Sequence, residues 1–264
     1  EDRPLFHGAK GFEHAKGALN QAHEHLKSGG KSTHLTMKYD GSPAIVFGHH
    51  PETGKFFVAS KSAFNKNPKI NYTHEDIKKN HGHAPGLMDK LHASLLHLKK
   101  IAPKTGVYQG DLMYTHDDLH HHKNGKVSFT PNTITYTGQG PEAQKIKDSK
   151  IGVVVHTQDH GKTASSMSAD PHPDLHNFKP HKDVWTKHPE LDTRNIHYSE
   201  DAQNEFHKHM AAAQKIHDEN KKMYGVTAVH GGEAGHLATY INHTVRTDEK
   251  PTAEGLKKHI SDKY

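Results

Sequence analysis

Hydrophobic residues recur at helical spacing in several stretches of the chain. A helix is predicted to begin at Pro85-Gly86, because the leucines that follow fall on one stripe: Leu87, Leu91, Leu95 and Leu98. A second amphipathic helix is predicted over 12–27. A short third helix is predicted to follow Thr73, since Thr73 and Asp76 have the spacing of a capping box.

Short apolar runs alternate with these helices and predict strands. They cover 44–48, 56–60, 107–114 and 151–156, and the last is almost wholly apolar, as in strands buried on both faces. A hairpin turn at Asn124-Gly125, a strand near 133–137 and a helix over 142–147 complete this part. The mixture of helices and hairpin-linked strands predicts an α+β domain built around an antiparallel sheet.

The pattern changes after about residue 162. Residues 163–200 are rich in Pro, His, Ser and Asp and predict a loop-dominated segment, and helices are predicted over 200–224, 233–245 and 252–264. We therefore expect a first domain over 1–162 and a loop-rich, then helical region over 163–264, which is an insertion or an accessory subdomain.

Composition limits the classes of function. The 264 residues include no cysteine, which excludes disulfides and thiolate chemistry and fits a reducing compartment. Hydrophobic residues make up 31% of the chain and the mean hydropathy is −0.93. No apolar run approaches the roughly 18 residues of a membrane span, so no membrane partner is expected. The net charge of +5 is compatible with a polyanionic partner.

Histidine is unusually abundant, with 30 residues. The densest run, between His116 and His122, suggests a zinc or nickel site, or a metal-buffering protein. However, adjacent residues rarely converge on one ion, and the run lies where a solvated loop is expected. Adventitious nickel binding is the preferred interpretation. Below pH 7 many of these imidazoles gain charge, which should strengthen binding to phosphate backbones.

The most informative motif is Lys38-Tyr39-Asp40-Gly41, between candidate strands over 34–40 and 44–48. An amine attacks only when it is unprotonated, so a nucleophilic lysine needs partial desolvation or neighbouring cations. Asp40 would point to the same side as Lys38 in a strand, and Gly41 permits a close backbone approach. The alternative interpretation is an ordinary hairpin with an exposed lysine before an Asp-Gly turn.

Two later steps follow this motif in order, namely Ser60-Lys61 after a strand and Gly110-Asp111 within one. Together they resemble the superfamily of ATP-dependent DNA ligases, RNA ligases and capping enzymes, and the Ser42-Pro43-Ala44 continuation resembles ligase-like proteins of tailed phages. The resemblance implies an antiparallel-sheet nucleotidyltransferase (ATP-grasp-like ligase adenylation) fold. It also implies these roles: Lys38 as the nucleophile towards ATP, Thr36 at the adenine, Asp40, Gly41 and Lys61 at the ribose or phosphates, and Asp111 at the ribose or Mg²⁺.

The implied function is a polynucleotide ligase that forms lysyl-AMP and seals 5′-phosphate and 3′-hydroxyl ends. RNA is slightly favoured over DNA, since no five-strand OB-fold pattern follows; ATP and GTP are both open. The expected location is the cytoplasm of an infected bacterial host or the virion, with virion proteins as further candidate partners.

The sequence also departs from the family pattern. Asp111 stands where Glu is usual, Ile151 stands where the fourth motif has its acid, and the paired lysines of the fifth motif have no match. The chain opens with Glu1 and ends at Tyr264 inside a predicted helix, which suggests a portion of a longer protein. The alternative is a virion-associated or nucleic-acid-binding protein that keeps the fold without the full reaction.

Overall fold

A computed structural model describes residues 2–30, 35–163, 166–191, 193, 196–221 and 233–262. The chain divides into two compact units, one over Thr36–Pro189 and one formed by Glu1–Leu35 with Glu190–Tyr264. The boundary predicted between residues 162 and 163 lies inside the first of these units.

Helices and strands occur throughout the described residues. The α-helices are α1 (Asp2–Lys27), α2 (His74–His81), α3 (Pro85–Leu98), α4 (Gly140–Asp148), α5 (Glu200–Asn220), α6 (Glu233–Thr247) and α7 (Ala253–Ser261). The strands are β1 (Ala44–His49), β2 (Phe56–Ala59), β3 (Val107–Thr115), β4 (His120–His121), β5 (Val127–Phe129), β6 (Tyr136–Gly138), β7 (Ile151–His160), β8 (Ser168–Asp170) and β9 (Val184–Thr186). Two 3₁₀ helices span Lys61–Phe64 and His116–Asp118.

The larger sheet runs in the order β2-β1-β3-β7-β8, and β9 also pairs with β7. Every pairing in it is antiparallel except β7 with β9. A smaller antiparallel sheet has the order β4-β5-β6. The predicted α+β class with antiparallel sheet is therefore confirmed.

One face of the larger sheet packs against α2 and α3. Strand residues that alternate along the chain, such as Ile45 and Phe47, join Ile77 of α2 and Leu91 of α3 in one buried cluster. The predicted capping box of α2 is present, with the Thr73 hydroxyl accepting from the Asp76 N–H. Full burial of such side chains contributes about 1.5–3 kcal/mol each, so this face anchors the sheet.

The structure differs from the predicted elements at several places. From residue 35 onwards, the predicted strand over 34–40 is irregular, and Thr36 forms only an isolated bridge; residue 34 lies outside the described residues. Residues 163–200, predicted as loop-dominated, contribute β8 and β9 to the larger sheet. Residues 222–224 and 263–264 of the predicted helices are outside the described ranges.

The second unit is helical, as predicted for the C-terminal part. Its helix α1 packs on α5 through two pairs of stacked rings. The ring centroids of Phe12 and His217 are 4.0 Å apart, and those of His23 and Phe206 are 4.4 Å apart. Helices α6 and α7 contact each other, and the Tyr240 hydroxyl of α6 accepts a hydrogen bond from the N–H of Thr252, just before α7. Among the described residues, no helix combines the length and the apolar character that crossing a membrane requires.

Candidate functional site

The segment that carries Lys38 runs beside β3 just before β1 begins. The Ser42 N–H donates to the Leu112 carbonyl at 2.9 Å, and the Leu112 N–H donates to the Pro43 carbonyl at 3.0 Å. These two bonds extend the antiparallel pairing of β1 with β3 towards the motif. The motif is therefore fixed to β3 beside the first residues of β1, although it is not itself a strand.

Gly41 lies directly against Asp111. A Cβ built on Gly41 would approach the Asp111 Cβ to 2.5 Å and the Leu112 carbonyl oxygen to 2.8 Å. No real side chain fits such distances without a shift of β3, so this position requires glycine for space. The structure thus brings together two motifs that are 70 residues apart in the sequence.

Lys61 follows the end of β2 that lies beside the start of β1. Ala44 pairs with Asp111, and Val46 pairs with Ala59, so the end of β2 lies beside the start of β1. The 3₁₀ helix that opens with Lys61 follows at once, and its Ser62 N–H is capped by the Ser60 hydroxyl. The register alone therefore places the second motif near the first and the third.

The side chains of Thr36 and Lys38 are exposed. Within the described part of the chain, the Lys38 amine has no hydrogen bond or ion pair. The partial desolvation expected of a nucleophilic lysine is therefore not provided by the protein alone. The amine is open to a ligand.

Asp40 holds a loop of the smaller sheet. Its carboxylate accepts from the Asn132 side-chain amide at 3.1 and 3.2 Å and from the Thr133 N–H at 3.3 Å. The Asp40 N–H donates to the Tyr136 hydroxyl at 2.8 Å, and the Tyr39 ring stacks on the Tyr136 ring. The sequence suggested a ribose contact for this carboxylate and missed Asn132, because no local pattern links residues 92 positions apart.

Asp111 lies on the sheet face opposite α2 and α3, with 21% of its side chain exposed. Strand β7 has one extra residue, His156, between the partners of Gln109 and Gly110. A bulge of this kind re-aims a side chain, and the His156 Nε2 is 3.7 Å from the Asp111 carboxylate.

A second polar pair lies on the same face of the larger sheet as Asp111. The Gln109 side-chain amide donates to both carboxylate oxygens of Asp159 at 3.0 Å. Gln109 and Asp111 are two residues apart on β3 and so share a face. Burial raises the pKa of Asp159 above its ordinary value, while the Gln109 hydrogen bond acts in the opposite direction. Sequence reasoning missed both residues of this pair, although Gln109, a polar residue two positions before Asp111 in an apolar strand, was a usable signal.

The histidine run contributes structural contacts. His116 hydrogen-bonds the Ser149 carbonyl oxygen at 3.1 Å, and His122 hydrogen-bonds the Ser128 hydroxyl at 2.8 Å. In the ranges that the structure describes, no group of three or more His, Asp or Glu is placed to hold one metal ion.

Comparison with protein families gives a match over residues 1–264. The chain belongs to the DUF6267 family. This is a family of unknown function. No curated protein matches the chain, and no solved structure matches it.

Proposed function

We propose that this DUF6267 protein is a covalent nucleotidyltransferase with Lys38 as its nucleophile. The unprotonated Nζ attacks the α-phosphorus of ATP, an N–P bond forms, the bond to the bridging oxygen breaks, pyrophosphate leaves, and one amine proton is released to solvent. The observation that carries the proposal is the contact of Gly41 with Asp111. It supports a common site for the motifs of the resemblance, at one end of the larger sheet.

The surrounding residues have proposed roles that fit their positions. Thr36 is assigned to the adenine, and Lys61 to the ribose or the phosphates, which a lysine binds as a point charge. Asp111 is assigned to the ribose or to Mg²⁺, which proteins often hold through one or two carboxylates plus substrate phosphates. Bound Mg²⁺ would offset phosphate charge. Because the Asp40 carboxylate already accepts hydrogen bonds from Asn132 and Thr133, its proposed contribution is to fix the segment before Gly41.

The exposure of Lys38 imposes a condition on this mechanism. An amine in water is held protonated, so the bound nucleotide itself must cover it and exclude solvent before attack. In the second step, AMP passes to a 5′-phosphorylated end and a 3′-hydroxyl displaces it. RNA is the preferred acceptor in the proposal, because the C-terminal part of the chain is helical. The proposed compartment is the cytoplasm of an infected bacterial host, or the virion.

A second candidate is a nucleic-acid-binding or virion-associated protein that keeps this arrangement without the reaction. The exposed Lys38 side chain and the occupied Asp40 carboxylate favour it. It would bind nucleic acid through its basic surface and leave ATP unchanged.

Labelling with α-³²P-ATP and Mg²⁺, followed by denaturing electrophoresis, tests the first candidate. We expect labelled protein that releases its label on addition of pyrophosphate. Lys38→Ala and Lys38→Arg should abolish the label, whereas Lys55→Ala, at an exposed lysine before β2, should retain it. Label that persists in Lys38→Ala overturns the assignment. Absence of label with both ATP and GTP favours the second candidate.

A further inference from the structure

A basic pocket lies at the opposite end of the larger sheet from the Lys38 segment. It has a volume of about 660 Å³, and its lining includes His49 at the end of β1 and Tyr108 near the start of β3. His49 is five residues beyond Ala44, the partner of Asp111, which corresponds to about 16 Å along a strand. Tyr108 also belongs to the helix-side core, on the face opposite Asp111. The two sites are therefore separate.

Three lysines from distant parts of the chain converge on this pocket. Lys99 and Lys104 belong to the segment after α3, and Lys179 belongs to the segment between β8 and β9. The Lys179 N–H donates to the Ile101 carbonyl oxygen at 3.0 Å, which joins the two segments. Among the described residues, the three side-chain amines have no ion pair and no hydrogen bond. Their charges are thus uncompensated within that part of the chain.

The remaining charged groups leave a positive surplus. Lys100 also lines the pocket, but it is paired with Asp183. Asp174 is the one carboxylate in the described lining. Its backbone N–H donates to the Gln158 side-chain oxygen at 2.9 Å, so the Gln158 amide NH₂ is left as a donor.

Tyr108 supplies an independent indication of a ligand. The residue is only 3% exposed, yet its hydroxyl makes no hydrogen bond to the residues that the structure describes. Burial, followed by the nearby Asp174 charge, raises the pKa of Tyr108, so the hydroxyl stays protonated as a donor. The hydroxyl oxygen itself is not fully buried and opens onto the pocket, where an acceptor atom of a ligand would take its hydrogen bond.

We infer that this pocket binds phosphate groups, either of a nucleic-acid backbone or of a free phosphate compound. The lysines provide charge without fixed direction, and the Tyr108 hydroxyl and Gln158 amide provide directed donors. The volume lies within the range of about 300–1,000 Å³ that is usual for small-molecule sites. The inference does not depend on the reaction at Lys38.

Two probes distinguish the sources of phosphate. A fluorescent single-stranded RNA oligonucleotide is followed by anisotropy at several salt concentrations, and inorganic pyrophosphate is followed by calorimetry. A variant with Lys99→Gln, Lys104→Gln and Lys179→Gln is compared with a control of equal charge, Lys55→Gln, Lys78→Gln and Lys123→Gln. We expect the pocket variant to weaken at least one probe about tenfold more than the control does. Weakening of RNA alone identifies a backbone, and weakening of both identifies a free phosphate site.

Tyr108→Phe removes one donor without changing charge, and Tyr72→Phe is its control outside the pocket. We expect Tyr108→Phe to weaken the responding probe about tenfold, the value for a hydrogen bond to a charged group. Equal effects of the two lysine variants on both probes, or unchanged affinity in Tyr108→Phe, overturn the inference. The pocket lysine variant should still become labelled at Lys38, which separates this test from that of the proposed reaction.

Discussion

Gly41 packs directly against the Cβ of Asp111, and this contact joins the segment before β1 to the middle of β3. A Cβ on Gly41 would lie 2.5 Å from the Asp111 Cβ, and it would also lie 3.0 Å from the Met113 sulfur. The fit depends on the absence of a side chain rather than on an unusual backbone angle.

Gly41→Ala should therefore be strongly destabilising. We expect a loss of about 1–3 kcal/mol in the free energy of unfolding, because the added methyl group forces β3 or the segment to move. Urea denaturation measures this. Gly86→Ala is the matched control, since a Cβ there meets nothing within 4 Å and the position is helical. It should be neutral or stabilising by about 0.5–1 kcal/mol. Equal losses in the two variants would contradict the steric account.

Asp40 and Asn132 should be energetically coupled. Asp40→Ala and Asn132→Ala each remove the same pair of hydrogen bonds, so the double variant should lose less than the sum of the single losses. We expect a coupling energy of about 1 kcal/mol from a double-mutant cycle in urea. Asn124→Ala, in the turn before β5, should combine additively with Asp40→Ala. A coupling near zero for Asn132 would mean that the contact does not stabilise the fold.

Tyr114 should control stability in alkaline solution. Its hydroxyl hydrogen-bonds the Ser149 hydroxyl at 2.7 Å, and burial is the main cause that raises the pKa of Tyr114 above its ordinary value. The folded state therefore favours the neutral phenol, while the unfolded chain ionises near pH 10. This contribution is complete below about pH 10 and declines by up to about 1.4 kcal/mol per pH unit above it.

Tyr114→Phe should lower the free energy of unfolding by about 1 kcal/mol at neutral pH. Above about pH 10, this variant should lose less stability than the unmodified protein does. Urea midpoints between pH 8 and pH 11 measure both effects. The same alkaline slope in the two proteins would show that the hydroxyl is not protected from ionisation by burial.

His81 should contribute to instability in acid. Burial first, and then the charges of Lys69 and His83, lower the pKa of His81 below its ordinary value. The folded state favours neutral His81, so its contribution is present above about pH 6.5 and is lost as the pH falls. Its buried Nε2 has no hydrogen-bond partner in the described structure.

His81→Phe should therefore reduce the loss of stability between pH 7 and pH 5.5, as measured by urea midpoints. The expected reduction is below about 1.4 kcal/mol per pH unit. His121→Gln, at an exposed histidine, is the control and should leave the acid slope unchanged. A larger effect in His121→Gln than in His81→Phe would contradict the role of burial.

The sequence predicted the elements in which one local pattern dominates. The leucine stripe and Pro85 located α3, the Thr73 capping box located α2, and the apolar runs located β1, β2, β3 and β7. The segment over 34–40 was mispredicted as a strand from residue 35 onwards, because the Met37 N–H donates to the Pro189 carbonyl and the Asp40 N–H to the Tyr136 hydroxyl rather than to a hairpin partner. The two short strands β8 and β9 were missed because each is only three residues long and depends on β7.

In the candidate site, too, the sequence predicted local features and missed long-range contacts. The residue types of Lys38, Asp40, Gly41, Lys61 and Asp111 were readable as motifs, but their convergence rests on the β1–β2 and β1–β3 registers. The partners Asn132 and Asp159 and the bulged His156 were not readable, since each contact joins residues that lie far apart in the chain.

What the chain determined by itself is local: the helical and strand periods, the caps, and the position of a lysine motif before an apolar strand. Backbone geometry and side-chain size act over a few residues and leave a pattern that can be read. Only the tertiary structure decided that Gly41 rests on Asp111 and that Lys99, Lys104 and Lys179 share a pocket. Such contacts depend on strand register and loop packing, and the free energy that selects them is spread over the whole core.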